Sequence, residues 1–485
     1  GMLCVGAIVL FEKFPTEKFT DSTVYISLAF VIIWTGALTL IKNSKISNVL
    51  IGITIVSIAF SEVIIADTSS YVFTQKHSDY TANYDSYREA IDYTYNKDDS
   101  FYRSELCYLD TRMDPCLYGY RGMSEFSSMA YEKYSRTQFN VGLAGNRINS
   151  YTYNTQTPVY NMMYNIKYVM QNSVEIEPSE NFYQKIYTTE DNSTAVFKNK
   201  YYLPIAFETT SQISDWINEE GNPFEVQEDF IDRAAGVSDV FVPVEYIETE
   251  YEESSGDTVT ENGTYFYTAD ENEDISGSIN VKFKSVRDGN VYVYLTSPVI
   301  ENVNYYWNND EESKYQNFDE PYIIDLGSHK EGDEITASLS LSATDSQNSY
   351  FEIYAYCVDE EVLSSAYELL SLGALDVTEF SENEITGTVN AGYDGYLYTS
   401  IPYDEGWEVY IDGKKVKTFD IGDSQLATTI KRGTHTVSYK FKPKGLKAGL
   451  AITLVSWAAL LVIFLLKRTR LGALLKLNKK TENNQ

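Results

Sequence analysis

The chain has 485 residues, enough for two or three domains, and sets 70 acidic side chains against 38 basic ones, a formal charge of −32. A chain this acidic does not take nucleic acid on a basic face. With 42 Tyr, 23 Phe and only 4 Cys it is aromatic-rich and disulfide-poor.

In chain order, Met2–Phe11 (MLCVGAIVLF) is apolar but too short to cross a bilayer. It lacks the basic start and small-residue cleavage site of a signal peptide, and reads as the tail of a longer helix. Residues 22–41 and 47–66 are each about one bilayer long as helices. The loop between them holds Lys42 and Lys45 and no acid. A last apolar stretch runs over 446–466, followed in 467–485 by Lys467, Arg468, Arg470, Lys476, Lys479 and Lys480. Both basic segments belong inside the cell by the positive-inside rule, and the parity of the spans agrees. The acid sits elsewhere: between Asp67 and Gly445 acids outnumber bases more than two to one. The sequence therefore predicts a multi-pass membrane protein with the bulk of the chain on the outer face. Glu62 lies inside the second full span, about one turn from its outer end. It is a candidate membrane acid, and equally a carboxylate reaching interfacial water.

Residues 67–235 read as an extracytoplasmic α/β region. Tyr84–Tyr95 has a helical face of Tyr87, Ile91 and Tyr95; Phe101–Leu109 reads as a strand; Asp114–Ser128 is loop-like around Pro115, Gly119 and Gly122. A helix turning into a strand is expected over 158–170 and a strand pair over 196–207. Ser211–Phe230 is polar and reads as a partly helical linker. From about Val240 the pattern alternates with period two, so residues 240–443 read as one or two β-sandwich domains with a short helix at 361–372. Near the end Trp407, Val409 and Ile411 share a face, Asp412-Gly413 supplies a tight turn, and Trp407 is expected as a buried anchor. The fold class is a membrane protein with helical spans, a large extracytoplasmic α/β region and β-sandwich domains.

For chemistry, there is no Gly-rich phosphate loop, no CxxC pair and no serine elbow, and His77, His329 and His435 are too dispersed to propose a metal site. The acidic run 245–253 could hold Ca²⁺ or simply be solvated charge. Cys107 and Cys116 are close enough in sequence to leave a disulfide open. The best polar constellation is Arg103, Asp110, Arg112, Asp114, Arg121 and Glu125, interleaved with Tyr102, Tyr108, Tyr118 and Tyr120. Arg can hold a phosphate or carboxylate bidentately, and Tyr rings can stack on sugar faces. The candidate substrate-binding residues are Arg103, Asp114, Tyr118, Tyr120, Arg121 and Glu125. The same residues can instead be internal ion pairs around a small Tyr core.

Several segments carry a family resemblance. SIPYDEGWEVYIDGKKV at 400–416, KRGTHTVSYKF at 431–441 and the closing apolar helix resemble the C-terminal end of the bacterial YfhO family. So do Phe101-Tyr102-Arg103, Asp114-Pro115 followed by Tyr118-Gly119-Tyr120-Arg121-Gly122, Ile166-Lys167-Tyr168-Val169, Leu203-Pro204-Ile205-Ala206-Phe207 and Asn222-Pro223-Phe224-Glu225, in consistent order. That family is regarded as large multi-spanning glycosyltransferases of the GT-C type that use lipid-linked sugars. The resemblance implies a polyprenyl-phosphate sugar as donor, a cell-envelope glycopolymer such as a teichoic acid as acceptor, and the lipid bilayer as partner. It leaves a divalent metal open. GT-C enzymes place a catalytic acid in the first outer loop, after the first of many helices. Only two helices and a fragment precede the large outer region here, so the sequence is similar to the C-terminal part of such an enzyme and no catalytic residue carries over. Two other readings stand beside it: a non-catalytic membrane-anchored glycan-binding or adhesion module, and an accessory subunit of a sugar-lipid flippase.

Overall fold

The computed structural model describes residues 21–43, 47–70, 81–107, 111–172, 178–252, 255–256, 263–268, 278–298, 300–307, 313–317, 320–341 and 348–482. The apolar fragment expected at 2–11 lies outside them, as do Lys45, His77, Tyr108 and Asp110. The chain divides into two compact units, residues 1–82 and 83–485.

In the first unit, helices α1 (Asp21–Asn43) and α2 (Asn48–Ser70) carry apolar residues all round. Such a helix has no polar face to give to water. Tyr25–Lys42 and Asn48–Ala66 are long and apolar enough to cross a membrane, as is Leu446–Leu465 at the other end of the chain.

The second unit begins with a helix over Tyr84–Lys97, which buries Tyr87, Ala90, Ile91 and Thr94 at helical spacing. It lies on a four-stranded sheet, β1 (Arg103–Leu106), β5 (Ile166–Asn172), β7 (Thr194–Asn199) and β6 (Tyr183–Thr188) in spatial order 1-5-7-6. Strands β1 and β5 run parallel and the rest antiparallel. The strand expected over 101–109 is thus the four residues of β1. The loop expected at 114–128 contains a short helix, Asp114–Tyr118, and a two-residue strand, β2 (Glu125–Phe126). That strand pairs with β4 (Ser150–Thr152), which also pairs with β3 (Ala144–Gly145).

The polar segment 211–230 is not a linker. Its helix, Pro223–Ala235, buries Phe224, Phe230, Ile231 and Ala234 completely. Asn222 caps it by accepting from the Phe224 N–H at 3.1 Å, and Pro223 occupies the first turn, where no N–H is needed. The acids on the opposite face (Glu225, Asp229, Asp232) make the segment look solvated when read by composition. One buried cluster joins Tyr160, Tyr164, Phe224 and Phe230 to Tyr292, Ile323 and Tyr398, so it runs across the sequence position 235–240.

Beyond 240 the chain forms two pairs of antiparallel sheets. The first sheet of the first pair has order β10 (Glu245–Glu252), β13 (Ser278–Lys284), β18 (Glu334–Leu341), β15 (Ile300–Trp307), β16 (Ser313–Asn317). Its mate is ordered β11 (Ser255–Gly256), β12 (Thr264–Thr268), β19 (Asn348–Val358), β14 (Gly289–Thr296), β17 (Ile324–His329), with β9 (Phe241–Pro243) also on β19. Alternate residues of both sheets (Ile279, Val281 and Phe283; Val291, Val293 and Leu295) meet in one buried cluster, as period-two strands with one covered face must. The second pair comprises β20 (Asp376–Phe380), β21 (Glu384–Ala391), β27 (Gly433–Phe441), β23 (Trp407–Ile411) and β24 (Lys414–Val416), facing β25 (Thr418–Ile421), β26 (Gln425–Ile430), β22 (Gly395–Pro402) and β8 (Ala206–Thr209). Strand β8 comes from the region before 235 and pairs with β22, Phe207 opposite Tyr398.

The expected hairpin is present, and Ile411 pairs with Lys414. Asp412 and Gly413 both have positive φ, 51° and 75°, the two left-handed positions that a two-residue hairpin matching strand twist requires. Trp407 is only half-buried. Val409 fills the core, while Trp407 lies at the last pair of the sheet, opposite Phe441, with the two rings 5.0 Å apart. A side chain at the end of a strand has no further residue to cover its outer face. Only Lys442, Pro443, Lys444 and Gly445 separate Phe441 from the terminal helix, Leu446–Glu482.

Candidate functional site

The segment singled out for chemistry is held tightly. Arg103, on β1, donates through Nη1 to the Tyr164 carbonyl at 3.0 Å and to Ser400 Oγ at 2.6 Å, and through Nη2 to the Ser400 carbonyl at 3.2 Å. It therefore ties the first sheet to β22, nearly 300 residues later in the chain. A charged donor with three such acceptors is well satisfied without a ligand. Asp114 is fully buried and accepts from the Thr111 N–H at 2.8 Å and the Thr111 hydroxyl at 2.7 Å, closing the turn that starts the short helix. The Tyr118 ring is buried between Tyr84 and Tyr87, at centroid separations of 5.6 and 5.2 Å. Glu125 accepts from the Tyr151 hydroxyl at 2.8 Å.

Arg121 differs. Its guanidinium carbon lies 5.5 Å from the Tyr95 ring centroid, 5.3 Å from Phe101 and 4.9 Å from Phe380. Among the described residues its guanidinium meets no carboxylate and no hydrogen-bond acceptor, and the side chain is only partly buried. The quadrupoles of three rings hold the cation and leave its N–H donors uncommitted. Phe380 pairs with Ile385, Ile385 with Tyr439, and the Phe441 N–H donates to the Asn383 carbonyl at 2.8 Å. The ring box around Arg121 is thus at the end of the sheet from which the terminal apolar helix departs.

Sequence reading passed over the acid at the centre of this segment. Glu105 is fully buried; its Oε1 accepts from the Met123 N–H and, at 3.3 Å, from the Ser124 N–H. Its Oε2 and the Tyr120 hydroxyl meet no partner among the described residues. Desolvation pushes the Glu105 carboxyl up to about 8, against the lowering effect of those two N–H groups and Arg103. Burial, with Glu105 next, pushes the Tyr120 hydroxyl well above its ordinary value. Gly122 exists for this packing: a Cβ there would stand 2.7 Å from the Tyr120 ring, 2.8 Å from Pro115 and 3.0 Å from Glu105 Oε1. No sequence motif marks a buried acid among Ser, Leu and Cys; the covering of both faces of β1, where Ser104, Glu105 and Leu106 are all buried, places it inside.

Elsewhere, Trp34 Nε1 donates to Glu62 Oε2 at 2.9 Å, so the candidate membrane acid has a partner on the neighbouring helix. The acidic run forms β10, in which Glu248 and Glu250 hold Lys282 at 3.0 and 2.8 Å and Glu245 holds Lys284 at 3.0 Å. These carboxylates are cross-strand ion-pair partners. Among the described residues no three His, Cys, Asp or Glu side chains converge as metal ligands. Cys107 and Cys116 are not joined by a disulfide. A cleft of about 520 Å³ opens between the sheets of the first pair, and none of the six sequence-chosen residues lines it.

A family model described as bacterial membrane protein YfhO matches residues 1–453. The chain is 27% identical over 99 residues to "Uncharacterized protein YfhO" of Bacillus subtilis (strain 168), a stretch covering 20% of this chain and 11% of that protein. Among solved structures, a cycloisomaltooligosaccharide glucanotransferase of Paenibacillus sp. is similar over 48% of this chain and 50% of that one, at 8% identity and a TM-score of 0.17. The arabinofuranosyltransferase AftD from Mycobacteria is similar over 60% of this chain and 31% of that one, at 9% identity and a TM-score of 0.15. At such TM-scores neither establishes a shared fold, and fold alone does not carry function.

Proposed function

Because this chain belongs to the YfhO family of bacterial membrane proteins, we propose that it is the C-terminal portion of a membrane glycosyltransferase. It moves a sugar from a polyprenyl-phosphate donor to a cell-envelope polymer such as a teichoic acid. The observation that carries the reading is the family match along residues 1–453, which contain the two N-terminal apolar helices and the whole sheet region. The matched curated relative is spanned over only 11% of its length, so the activity of the whole is inferred. Charge supports the orientation: Lys42, Lys467 and Arg468 flank the apolar helices on the inner side, and the acidic residues 67–445 lie outside. We read each pair of sheets as a β-sandwich resting above the outer leaflet.

In the transfer, the acceptor hydroxyl oxygen bonds to the anomeric carbon as the bond from that carbon to the donor phosphate breaks. The hydroxyl proton passes to a carboxylate base, which this chain does not identify. The departing phosphate keeps the bonding electrons and needs a cation. Arg121 suits that role, as an uncommitted guanidinium held by rings at the end of the sheet next to the terminal apolar helix. In so acidic a region an anionic phosphate is otherwise repelled. Arg103, Asp114, Tyr118 and Glu125 are engaged by partners inside the fold and Tyr120 is buried, so we assign them to packing of this segment and not to the phosphate. The second reading, a non-catalytic glycan-binding module, is favoured by the open cleft. Deleting the gene and analysing the sugar content of each envelope polymer separates the two. The transfer reading expects one polymer to lose a sugar substituent, with its lipid-linked donor accumulating. Unchanged polymers and donor pools refute it.

A further inference from the structure

The cleft arises from a change of sheet. Strand β9 pairs with β19, but at Val244 the chain crosses over and continues as β10, paired with β13 of the facing sheet. One edge of β19 is paired by β12 at residues 348–352 and by β9 at 356–358. Between these partners, the Ile353 N–H donates to the Gly263 carbonyl at 3.0 Å and the Ala355 carbonyl accepts from the Val244 N–H at 3.1 Å, and the cleft of about 520 Å³ is lined by these residues. That size falls within the range of small-molecule sites. Its floor is the buried core, Val281 and Phe283; its rim is Tyr246, Tyr354 and Tyr356, with Asn222 and Glu225 on one side.

The rim rings are fixed by their hydroxyls. The Tyr356 hydroxyl accepts from Asn222 Nδ2 at 2.8 Å, the Tyr354 hydroxyl donates to Glu352 at 3.4 Å, and the Tyr246 hydroxyl donates to Thr249 at 3.1 Å. Asn222 itself is pinned as the cap of the helix that follows it. Glu225 is exposed, and Asn222 Nδ2 at 3.2 Å leaves acceptor capacity on its carboxylate. Anchored aromatic faces beside a few fixed acceptors suit a ligand with apolar C–H faces and hydroxyl edges, which is the chemistry of a pyranose. Charge narrows the class. Glu225 and Glu352 are the carboxylates that act on Tyr354 at the cleft, and the chain carries −32 overall. An anionic polymer is disfavoured here by like charge.

We infer that this cleft binds an oligosaccharide segment bearing no anionic groups. The inference goes beyond sugar transfer and requires no turnover, so it stands or falls separately from that reading. It is tested with the full chain in phosphatidylcholine nanodiscs, which present no sugar headgroup. Saturation-transfer NMR is recorded with tetra-N-acetylchitotetraose, cellotetraose and maltotetraose, and with a glycerol phosphate oligomer. At least one uncharged saccharide should receive saturation at its ring C–H protons, and the glycerol phosphate oligomer none. Tyr246→Ala and Tyr354→Ala should each weaken binding by about fivefold to tenfold, as loss of an aromatic contact does. Tyr354→Phe, which keeps the ring but releases it from Glu352, should lose less binding than Tyr354→Ala. Glu225→Ala, at an exposed position that leaves the fold unchanged, should weaken it severalfold and serves if an aromatic variant fails to fold. No transfer to any of the three saccharides overturns the inference. So does transfer unaffected by Glu225→Ala and by whichever aromatic variants fold, or equal transfer to the glycerol phosphate oligomer.

Discussion

Two regions of this molecule use tyrosine and carboxylate in opposite ways. In the segment around β1, rings and acids point inward: Tyr102, Tyr118 and Tyr120 are buried, and Glu105 and Asp114 are sealed from water. At the cleft beside Val244 the same residue types form a rim, with Tyr246 and Glu225 exposed. The sequence concentrates Arg, Asp and Tyr in the first region, and this density is what packing a polar-rich core requires: each buried charge needs its own partners close by in the chain or the fold. The second region has no comparable density, because its residues arrive from a helix cap, a sheet crossing and two strands. Clustering in sequence is thus a poor guide to an open site in this fold.

The contrast can be broken most forcefully at a buried ring. Tyr160, fully buried with its hydroxyl donating to Gln138 at 2.8 Å, sits in the cluster that joins the two halves of the chain. Tyr160→Ala should cost about 3–5 kcal/mol, as large aromatic truncations in cores do. Tyr246→Ala at the exposed cleft rim should cost under about 1 kcal/mol, as surface changes do. Chemical denaturation of the full chain in micelles, followed by Tyr and Trp fluorescence, measures both. Equal losses erase the distinction between the two regions.

Much of the architecture is legible in the sequence. The three apolar helices, the helix at 84–97, the alternating strands beyond 240 and the Asp412-Gly413 hairpin all follow from local periodicity and turn chemistry. What is not legible depends on distant pairing. The helix at 223–235 shows its acids to a reader of composition and its Phe224 and Phe230 only to a partner surface. Strand β8 belongs to a sheet formed by residues some 190 positions later, and no local pattern says so. In the candidate site, Arg103 and Arg121 look equivalent as letters. Only the fold gives one three oxygen acceptors and the other three aromatic rings.

Glu105 supplies a pH test of the buried region. Its carboxyl is raised in the folded protein to about 8 from an ordinary value of 4.5. The folded state then holds a proton that the unfolded chain releases between those values. Its contribution to stability is fully present below about pH 4.5 and is lost as pH rises to about 8. Denaturation midpoints across that window should fall with pH, and Glu105→Gln should flatten that part of the slope. An unchanged slope in the variant would mean that Glu105 ionises freely.

The two arginines offer a smaller and sharper contrast. Removing Arg103 leaves the Ser400 and Tyr164 oxygens without their charged donor, so Arg103→Ala should cost about 2 kcal/mol. Arg121→Ala removes only ring contacts and should cost about 1 kcal/mol or less. The same denaturation experiment ranks them; a larger loss at Arg121 would make it the structural residue of the pair.

The measurement closest to the central claim is sugar transfer by the Arg121 variants. The gene carrying Arg121→Ala, Arg121→Lys or no change is returned to the deletion strain, and the rate at which the envelope polymer regains its sugar is followed alongside protein level. At equal protein level, Arg121→Ala should lower the rate at least about tenfold, roughly 1.4 kcal/mol of transition-state stabilisation. Arg121→Lys should recover only part of it, because an ammonium lacks the planar fork that grips a phosphate. Full activity in a folded Arg121→Ala protein would contradict the account, and the ring-held guanidinium would then be no more than packing at the foot of the sheet.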